Sequence, residues 1–263
     1  MIPGIGGAVG GAAASSPTLY NIISSLGLTS NLKLCLDAGD NSSVASGSQT
    51  KWLDVSGNGY DFNRGSTSAS QSSDPTFNGA PGGQSLNEYY SFDGGDYFTY
   101  DAANETWMES LHKNSATFTA LFWHYAKGSV DLFTTGASTG VTWSVDPVGI
   151  GTLVCRNGGS LVASAGYTTG GFSALDRWNC FGFSLDEAAG TFEFTVNNGA
   201  NSNSVTYSSP SAGAASIVMQ IMSSTVLAPS GSRTAACAFW QGTALVGADM
   251  LKIYNATRSR FGV

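Results

Sequence analysis

Two stretches of this chain are apolar on both faces of a period-two pattern. Ala116 to Ala126 reads "ATFTALFWHYA" and Trp178 to Leu185 reads "WNCFGFSL". A strand with one wet face alternates apolar and polar residues, whereas a strand covered on both faces does not. Each stretch therefore belongs at the centre of a sheet with packing on both sides. Elsewhere the alternation is cleaner. In "GTFEFTVNNG", Phe192, Phe194 and Val196 face inward and Glu193, Thr195 and Asn197 outward, with Asn198-Gly199 as the hairpin turn. Leu32, Leu34 and Leu36 alternate with Lys33, Cys35 and Asp37. "DLFTTG", "GVTWSVDP" and "GTLVCRNGG" read as strands of a meander, and "IVMQIMSS" and "CAFWQGTAL" as the last core strands. The expected class is all-β, a two-layer sandwich.

A chain of 263 residues suffices for one such domain without disulfide staples. Charged residues make up only 11% and the net charge is −7. That leaves no basic stripe for a phosphate backbone, so nucleic acid is excluded as a partner. No apolar run reaches the roughly 20 residues of a membrane helix, so no membrane span is expected.

Met1 to Ser16 is rich in Gly and Ala. No Lys or Arg precedes its apolar part and Gly interrupts it, unlike a secretory signal. Gly4, Gly6 and Gly10 have a dinucleotide-loop-like spacing, but no strand precedes them. The segment reads as an arm that a neighbouring subunit would hold, through Ile2, Pro3, Ile5 and Val9. Thr18 to Leu26 then reads as a short helix, with Leu19, Ile22, Ile23 and Leu26 on one face and Gly27 ending it. That face docks on its own domain or helps anchor the arm to a partner. The division is thus 1–31 for anchoring and assembly, and 32–263 for the sandwich.

Further along, Asn58-Gly59 marks a turn and Ser66 to Ser85 a long surface loop. "YYSFDGGDYFTY" gives a strand, a Gly-Gly turn and a second strand. Asp101 to His112 has helix character, with Asp101 as N-cap and Trp107, Met108 and Leu111 on one side. "GADMLKIYNATRSRFG" suits a closing turn of helix. Cys35, Cys155, Cys180 and Cys237 form no CxxC pair, which argues against a zinc ribbon. Buried free thiols are the expectation, and a Cys155–Cys180 or Cys35–Cys237 bridge the alternative. An origin in a reducing cytosol favours the thiols.

The order of these pieces resembles the laminin-G-like, concanavalin A-like jelly-roll modules of bacteriophage virion proteins. "LDAGD…KWLDVSGNG" looks like their opening segment and "FDGGDYFTY" like their FDG-x-D-Y strand pair. "TWMESLHKNSATFTALFW" looks like the lead into a long central strand, and "RWNCFGFSLDEAAGTFEFTVNNG" like the hairpin that follows. "IYNATRSRFGV" resembles a closing segment, so the likeness runs from Leu32 to Val263. It implies a jelly-roll β-sandwich with a short N-terminal helix and an extended arm, its first and last strands side by side. It further implies a non-enzymatic virion structural protein, a capsid decoration or a head or tail fibre component. Such a protein assembles in the host cytoplasm and is exposed on the particle surface. It is a homo-oligomer, with a trimer in view, and docks onto other virion proteins through its N-terminal arm. The alternative is a glycan-binding adhesin that meets a host surface glycan, as a receptor-binding module, with its sandwich loops.

For an adhesin, Trp52, Tyr89, Tyr97 and Trp143 are candidate stacking platforms for sugar rings, although core or rim packing explains the same residues. Asp93, Asp96 and Asp101 around Gly94-Gly95 are candidate calcium ligands, although Asp is also an ordinary turn former. No other cofactor is expected. Gly136-Ala137-Ser138-Thr139-Gly140 matches a nucleophile elbow, yet "VTWSVD" after it reads as a strand and His112 and His124 are the only histidines. A hairpin loop is expected there. Retaining glucanases of the concanavalin-like fold need closely paired carboxylates on an E-x-D-x-x-E strand, and no such string exists. Glu187 and Glu193 flank a turn, and Glu105 and Glu109 lie in a helix. Arg258 and Arg260 form a small basic spot expected to face solvent or to pair within the chain.

Overall fold

The computed structural model describes residues 17–263 apart from 48, 84, 147, 149, 169–174 and 223–225. The anchoring residues Ile2, Pro3, Ile5 and Val9, and the glycine spacing among them, lie outside the described residues.

The chain opens with α1 (Leu19–Ser25) and β1 (Leu32–Asp37). Short strands follow: β2 (Lys51–Trp52), β3 (Phe62–Arg64), β4 (Thr76–Asn78), β5 (Tyr89–Ser91) and β6 (Phe98–Tyr100). Helix α2 (Thr106–Ser110) leads into the long β7 (Thr117–Tyr125). Next come β8 (Val130–Thr134), β9 (Gly140–Val145), β10 (Ile150–Asn157) and β11 (Ser160–Thr168). Then come β12 (Trp178–Asp186), β13 (Thr191–Val196), β14 (Gly199–Ser204), β15 (Gln220–Ile221) and β16 (Arg233–Gln241). Helix α3 (Gly247–Thr257) and a 3-10 turn, Arg258–Phe261, close the chain.

Among the described residues these strands form two antiparallel sheets. The first runs β14-β13-β12-β7-β16-β5-β4, with β1 also paired to β16. The second runs β11-β10-β9-β8-β15-β6-β3-β2. Leu36 lies opposite Cys237, so the first and last strands are neighbours, as expected. The all-β sandwich read from the sequence is the fold that forms.

Two cores account for the strands that are apolar on both faces. Between the sheets lies an aromatic core. Phe239 packs against Phe122 at 5.5 Å and Phe133 at 5.1 Å between ring centroids, and Trp143 against Phe183 at 5.4 Å. The outer face of the first sheet carries a second core, closed over by α1, α3 and the 3-10 turn. There Leu121, Trp123, Cys180, Ala236 and Ala238 meet Leu19, Ile23, Met250, Ile253 and Phe261. Trp123 stacks on Phe261 at 4.1 Å and donates its indole N–H to Thr257 Oγ1 at 3.0 Å. Helix α3 can sit this close because residue 182 is glycine. A Cβ there would meet Met250 Sδ at 2.8 Å and Thr195 Oγ1 closer still.

Several expectations need correction. Leu19, Ile22 and Ile23 are 0%, 4% and 0% exposed within their own subunit, so they are not free to anchor a partner. Burying each is worth roughly 1.5–3 kcal/mol. Leu26, the C-cap, is half-buried against the same core. Gly27, at φ 71°, ends the helix, its N–H donating to Ser24 O at 3.0 Å. "FDGGDY" is not a hairpin: β5 belongs to the first sheet and β6 to the second, so the Gly-Gly turn crosses between layers. Helix α2 is shorter than Asp101–His112, because Asp101 pairs with Lys51 and Asn104 bonds to Ile217 O and Met219 N. The β13–β14 turn lies one residue earlier than read: Val196 faces Gly199, and Asn197 takes the positive φ of 54°. Thr195 faces outward but is buried, because α3 covers it. All four cysteines are buried free thiols. Cys35 sits in the outer core and Cys237 between the sheets, which excludes their bridge. Cys155 and Cys180 are likewise divided between the two cores.

Candidate functional site

Of the four aromatic residues read as sugar platforms, two are core. Trp52 and Trp143 are both 0% exposed, so neither presents a face to a ligand. Trp52 packs against Phe98 at 4.9 Å and Tyr90 at 5.0 Å. Trp143 lies in the buried alternation Val141, Trp143, Val145 of β9. Tyr97 is half-buried beside the Gly-Gly crossover. Tyr89 is half-buried on the outer face of the first sheet, with the Arg233 guanidinium 4.8 Å from its ring centre.

The acidic turn does not assemble a calcium cage. Asp96 is buried and accepts the Asp93 N–H at 2.8 Å, while Asp93 accepts that of Gly95 at 2.8 Å. Burial, more than the neighbouring Asp93 charge, pushes the Asp96 carboxyl up to about 6. Asp101 is spent on Lys51 at 2.5 Å. Among the described residues no group of three or more His, Cys, Asp or Glu is placed to hold a metal ion.

The groups considered for catalysis are engaged in building loops. Residues 136–140 close the antiparallel β8–β9 pair, and no helix follows Ser138. His124 is fully buried, its Nδ1 2.8 Å from Thr234 Oγ1. His112 is buried, with Nε2 3.2 Å from Gly213 O. Glu187 accepts backbone N–H groups of Ser115 and Tyr207, and Glu109 that of Ala215. Glu193 accepts the Gly247 N–H at the start of α3. Glu105 accepts the Tyr100 hydroxyl at 2.8 Å. With few cations available, this chain uses its carboxylates to bind backbone donors.

One surface combines room with unspent polar side chains. A cleft of about 500 Å³ opens between α1 and the loop joining β1 to β2, continuing to the turn after β2. Its walls include Tyr20 and Asn21 from α1, Asp40, Asn41 and Ser42 from the loop, and Asp54. Local bonds hold the loop in shape. Ser43 and Val44 donate their N–H groups to Asp40 O at 2.9 and 3.0 Å, and Ser42 N donates to Asp40 Oδ1 at 2.8 Å. Asp54 is saturated, accepting from Cys35 N, Ser56 N, Ser56 Oγ and Tyr60 N. Tyr20 is half-buried, while Asn21 and Asn41 are exposed, and their side chains make no hydrogen bond among the described residues. An aromatic face beside two free amides, with no poised acid–base pair, suits reversible binding of a polar ring. Sequence reasoning passes over Tyr20 because "TLYN" reads for its apolar face; Tyr20 flanks that face, packed in part against the outer core.

The fold resembles binding domains of known structure. The receptor-binding domain of botulinum neurotoxin type G aligns over 86% of this chain at 14% identity and a TM-score of 0.53. The binding domain of botulinum neurotoxin DC, in complex with SialylT, aligns over 87% at 9% identity and 0.57. A structure of that domain in complex with rat synaptotagmin II aligns over 87% at 10% identity and 0.55. This chain spans about half of each, 51%, 52% and 52% in turn. At such identities the likeness establishes the sandwich fold alone. No protein-family model matches the sequence, and no curated protein matches it. Among the described residues no helix is long and apolar enough to cross a membrane.

Proposed function

We propose that this chain is a non-catalytic binding module that takes a neutral sugar in the cleft between α1 and the β1–β2 loop. The observation that carries this reading is the set of unspent side chains there: the half-buried ring of Tyr20 with the free amides of Asn21 and Asn41. The tyrosine ring offers a flat apolar platform for the C–H face of a pyranose. Each amide carries both a donor and an acceptor, which suits a pair of adjacent sugar hydroxyls. Asp40 adds acceptor capacity. The sandwich fold shared with toxin receptor-binding domains supports a binding role over a catalytic one.

The expected affinity is modest. One ring stack and a few hydrogen bonds worth about 1 kcal/mol each give a dissociation constant in the millimolar range. Useful retention then needs several copies or several sugar units. The test is a glycan array probed with the full chain in multivalent display, wild type beside Tyr20→Ala and Asn41→Ala. Binding of neutral glycans that both variants lose supports the reading; no neutral ligand, or ligands kept by both variants, overturns it. The virion setting rests on sequence resemblance alone, and the structural neighbours above are toxin domains.

A further inference from the structure

We propose a second site, for an acidic sugar, on the part of the first sheet's outer face that the helices leave uncovered. Four side chains from four adjacent strands meet there: Tyr89 of β5, Arg233 of β16, Tyr125 of β7 and Trp178 of β12. Arg233, Tyr125 and Trp178 lie in register across their strands. Tyr89 stands two residues from Ser91, the partner of Arg233 on β5. The four point away from the inter-sheet core, and all are half-buried. Trp178 is 5.9 Å from Tyr89 and 5.8 Å from Tyr125 between ring centres. On its other side it touches Phe261 at 5.1 Å, where the helical cover ends.

Arg233 is the reason to read this as a binding site. Its guanidinium carbon lies 4.8 Å from the centres of both tyrosine rings. The two rings restrain the side chain through cation–π contact. Yet the guanidinium makes no hydrogen bond and no ion pair among the described residues. Asp176 pairs with Lys127, whose ammonium lies 5.7 Å over Tyr125. On a chain of net charge −7, Arg233 is held between two aromatic rings with no carboxylate partner among the described residues. Its five N–H donors form a planar fork that fits a carboxylate through two parallel bonds, and fits a sulfate similarly. The aromatic residues around it supply a surface for the ring that bears the acid. Aromatic platform and fixed cation together select an anionic pyranose, a uronic acid or a sulfated sugar. This assignment is independent of the cleft at Tyr20.

The test is titration of the full chain with glucuronic acid-terminated, sulfated and neutral oligosaccharides of one length. An acidic probe is expected to bind about tenfold or more tightly than the neutral one, and to weaken with added salt. A carboxylate-selective site favours the glucuronate, and a site that reads charge alone binds both acids equally. Arg233→Gln should abolish the preference at unchanged melting temperature. Arg233→Lys, which keeps the charge but not the fork, should recover only part of it. Tyr20→Ala should leave acidic binding intact, so failure of the cleft and failure of this site give different results. Equal binding of acidic and neutral probes, or an undiminished preference in Arg233→Gln, would overturn the proposal. Should Arg233→Gln fail to fold, the probe comparison and the salt dependence of the wild type decide it.

Discussion

The Asp37 carboxylate and the Arg260 guanidinium form a two-armed ion pair, Oδ1 to Nη2 at 2.5 Å and Oδ2 to Nη1 at 2.8 Å. The side chains are 0% and 4% exposed. Asp37 also accepts the N–H groups of Leu19, at the start of α1, and of Gly39. Arg260 Nε donates to Leu86 O. One carboxylate thus ties α1, β1 and the C-terminal turn together, and it does so at the base of the loop that walls the cleft. The basic spot read from the sequence splits accordingly: Arg260 pairs within the chain, while Arg258 is exposed, 6.0 Å over Tyr254.

Removing one half of this pair strands the other in a dry place. Arg260→Ala is expected to cost roughly 3–5 kcal/mol in urea unfolding. Replacing both residues by leucine-sized apolar groups should recover only part of the loss, since it leaves the Leu19 and Gly39 N–H groups and the Leu86 carbonyl without their partners. A single variant as stable as wild type would show that the pair does not hold the ends.

Gly182 tests the packing of α3. Gly182→Val places a side chain where Met250 and Thr195 already meet β12. Overpacking of this kind is expected to cost about 1–3 kcal/mol and to loosen α3 first. Amide exchange along Gly247–Thr257 should quicken before that of β7.

His124 gives stability a pH dependence. Burial alone drives its imidazole from 6.5 down to about 3. The unfolded chain therefore takes up a proton between those values while the folded chain does not. Stability from this group is full above pH 6.5 and is lost as the pH falls toward 3, with a slope of about 1.4 kcal/mol per unit. Asp96, raised to about 6, acts in the opposite sense and stabilises as the pH falls below that value. Comparison with His124→Gln separates the two: the stability difference between wild type and variant should shrink on acidification below 6.5. A pH-independent difference would contradict the assignment.

The thiols should be silent in the native state. Burial pushes Cys155 up to about 12 and raises Cys35, Cys180 and Cys237 as well. An aromatic disulfide reagent at neutral pH is expected to label none of the four until denaturant is added, and then all of them. Rapid labelling of the folded chain would show an open core.

The layers were legible in the sequence where burial is two-sided. Phe118, Phe122 and Phe183 face one core and Leu121, Trp123 and Cys180 the other, so β7 and β12 read as unbroken apolar runs. The alternation Val141, Trp143, Val145 already marked Trp143 as core, against its reading as a platform. Local patterns do not report which sheet a strand joins. β5 and β6 flank a glycine turn as a hairpin would, yet their partners are β16 and β3. The cleft was hidden for a related reason. Tyr20 and Asn41 are 21 positions apart and meet only because Asp37 fixes α1 beside its loop. The Arg233 cluster draws on four strands, and no short motif contains it.

Titration calorimetry of the full chain with a neutral oligosaccharide selected on the array tests the central assignment most directly. Saturable one-site binding is expected, which Tyr20→Ala weakens about tenfold or more while the chain stays folded and loses only the stability of the ring's packing on the outer core. Equal affinity in wild type and Tyr20→Ala, or heat that never saturates, would contradict it.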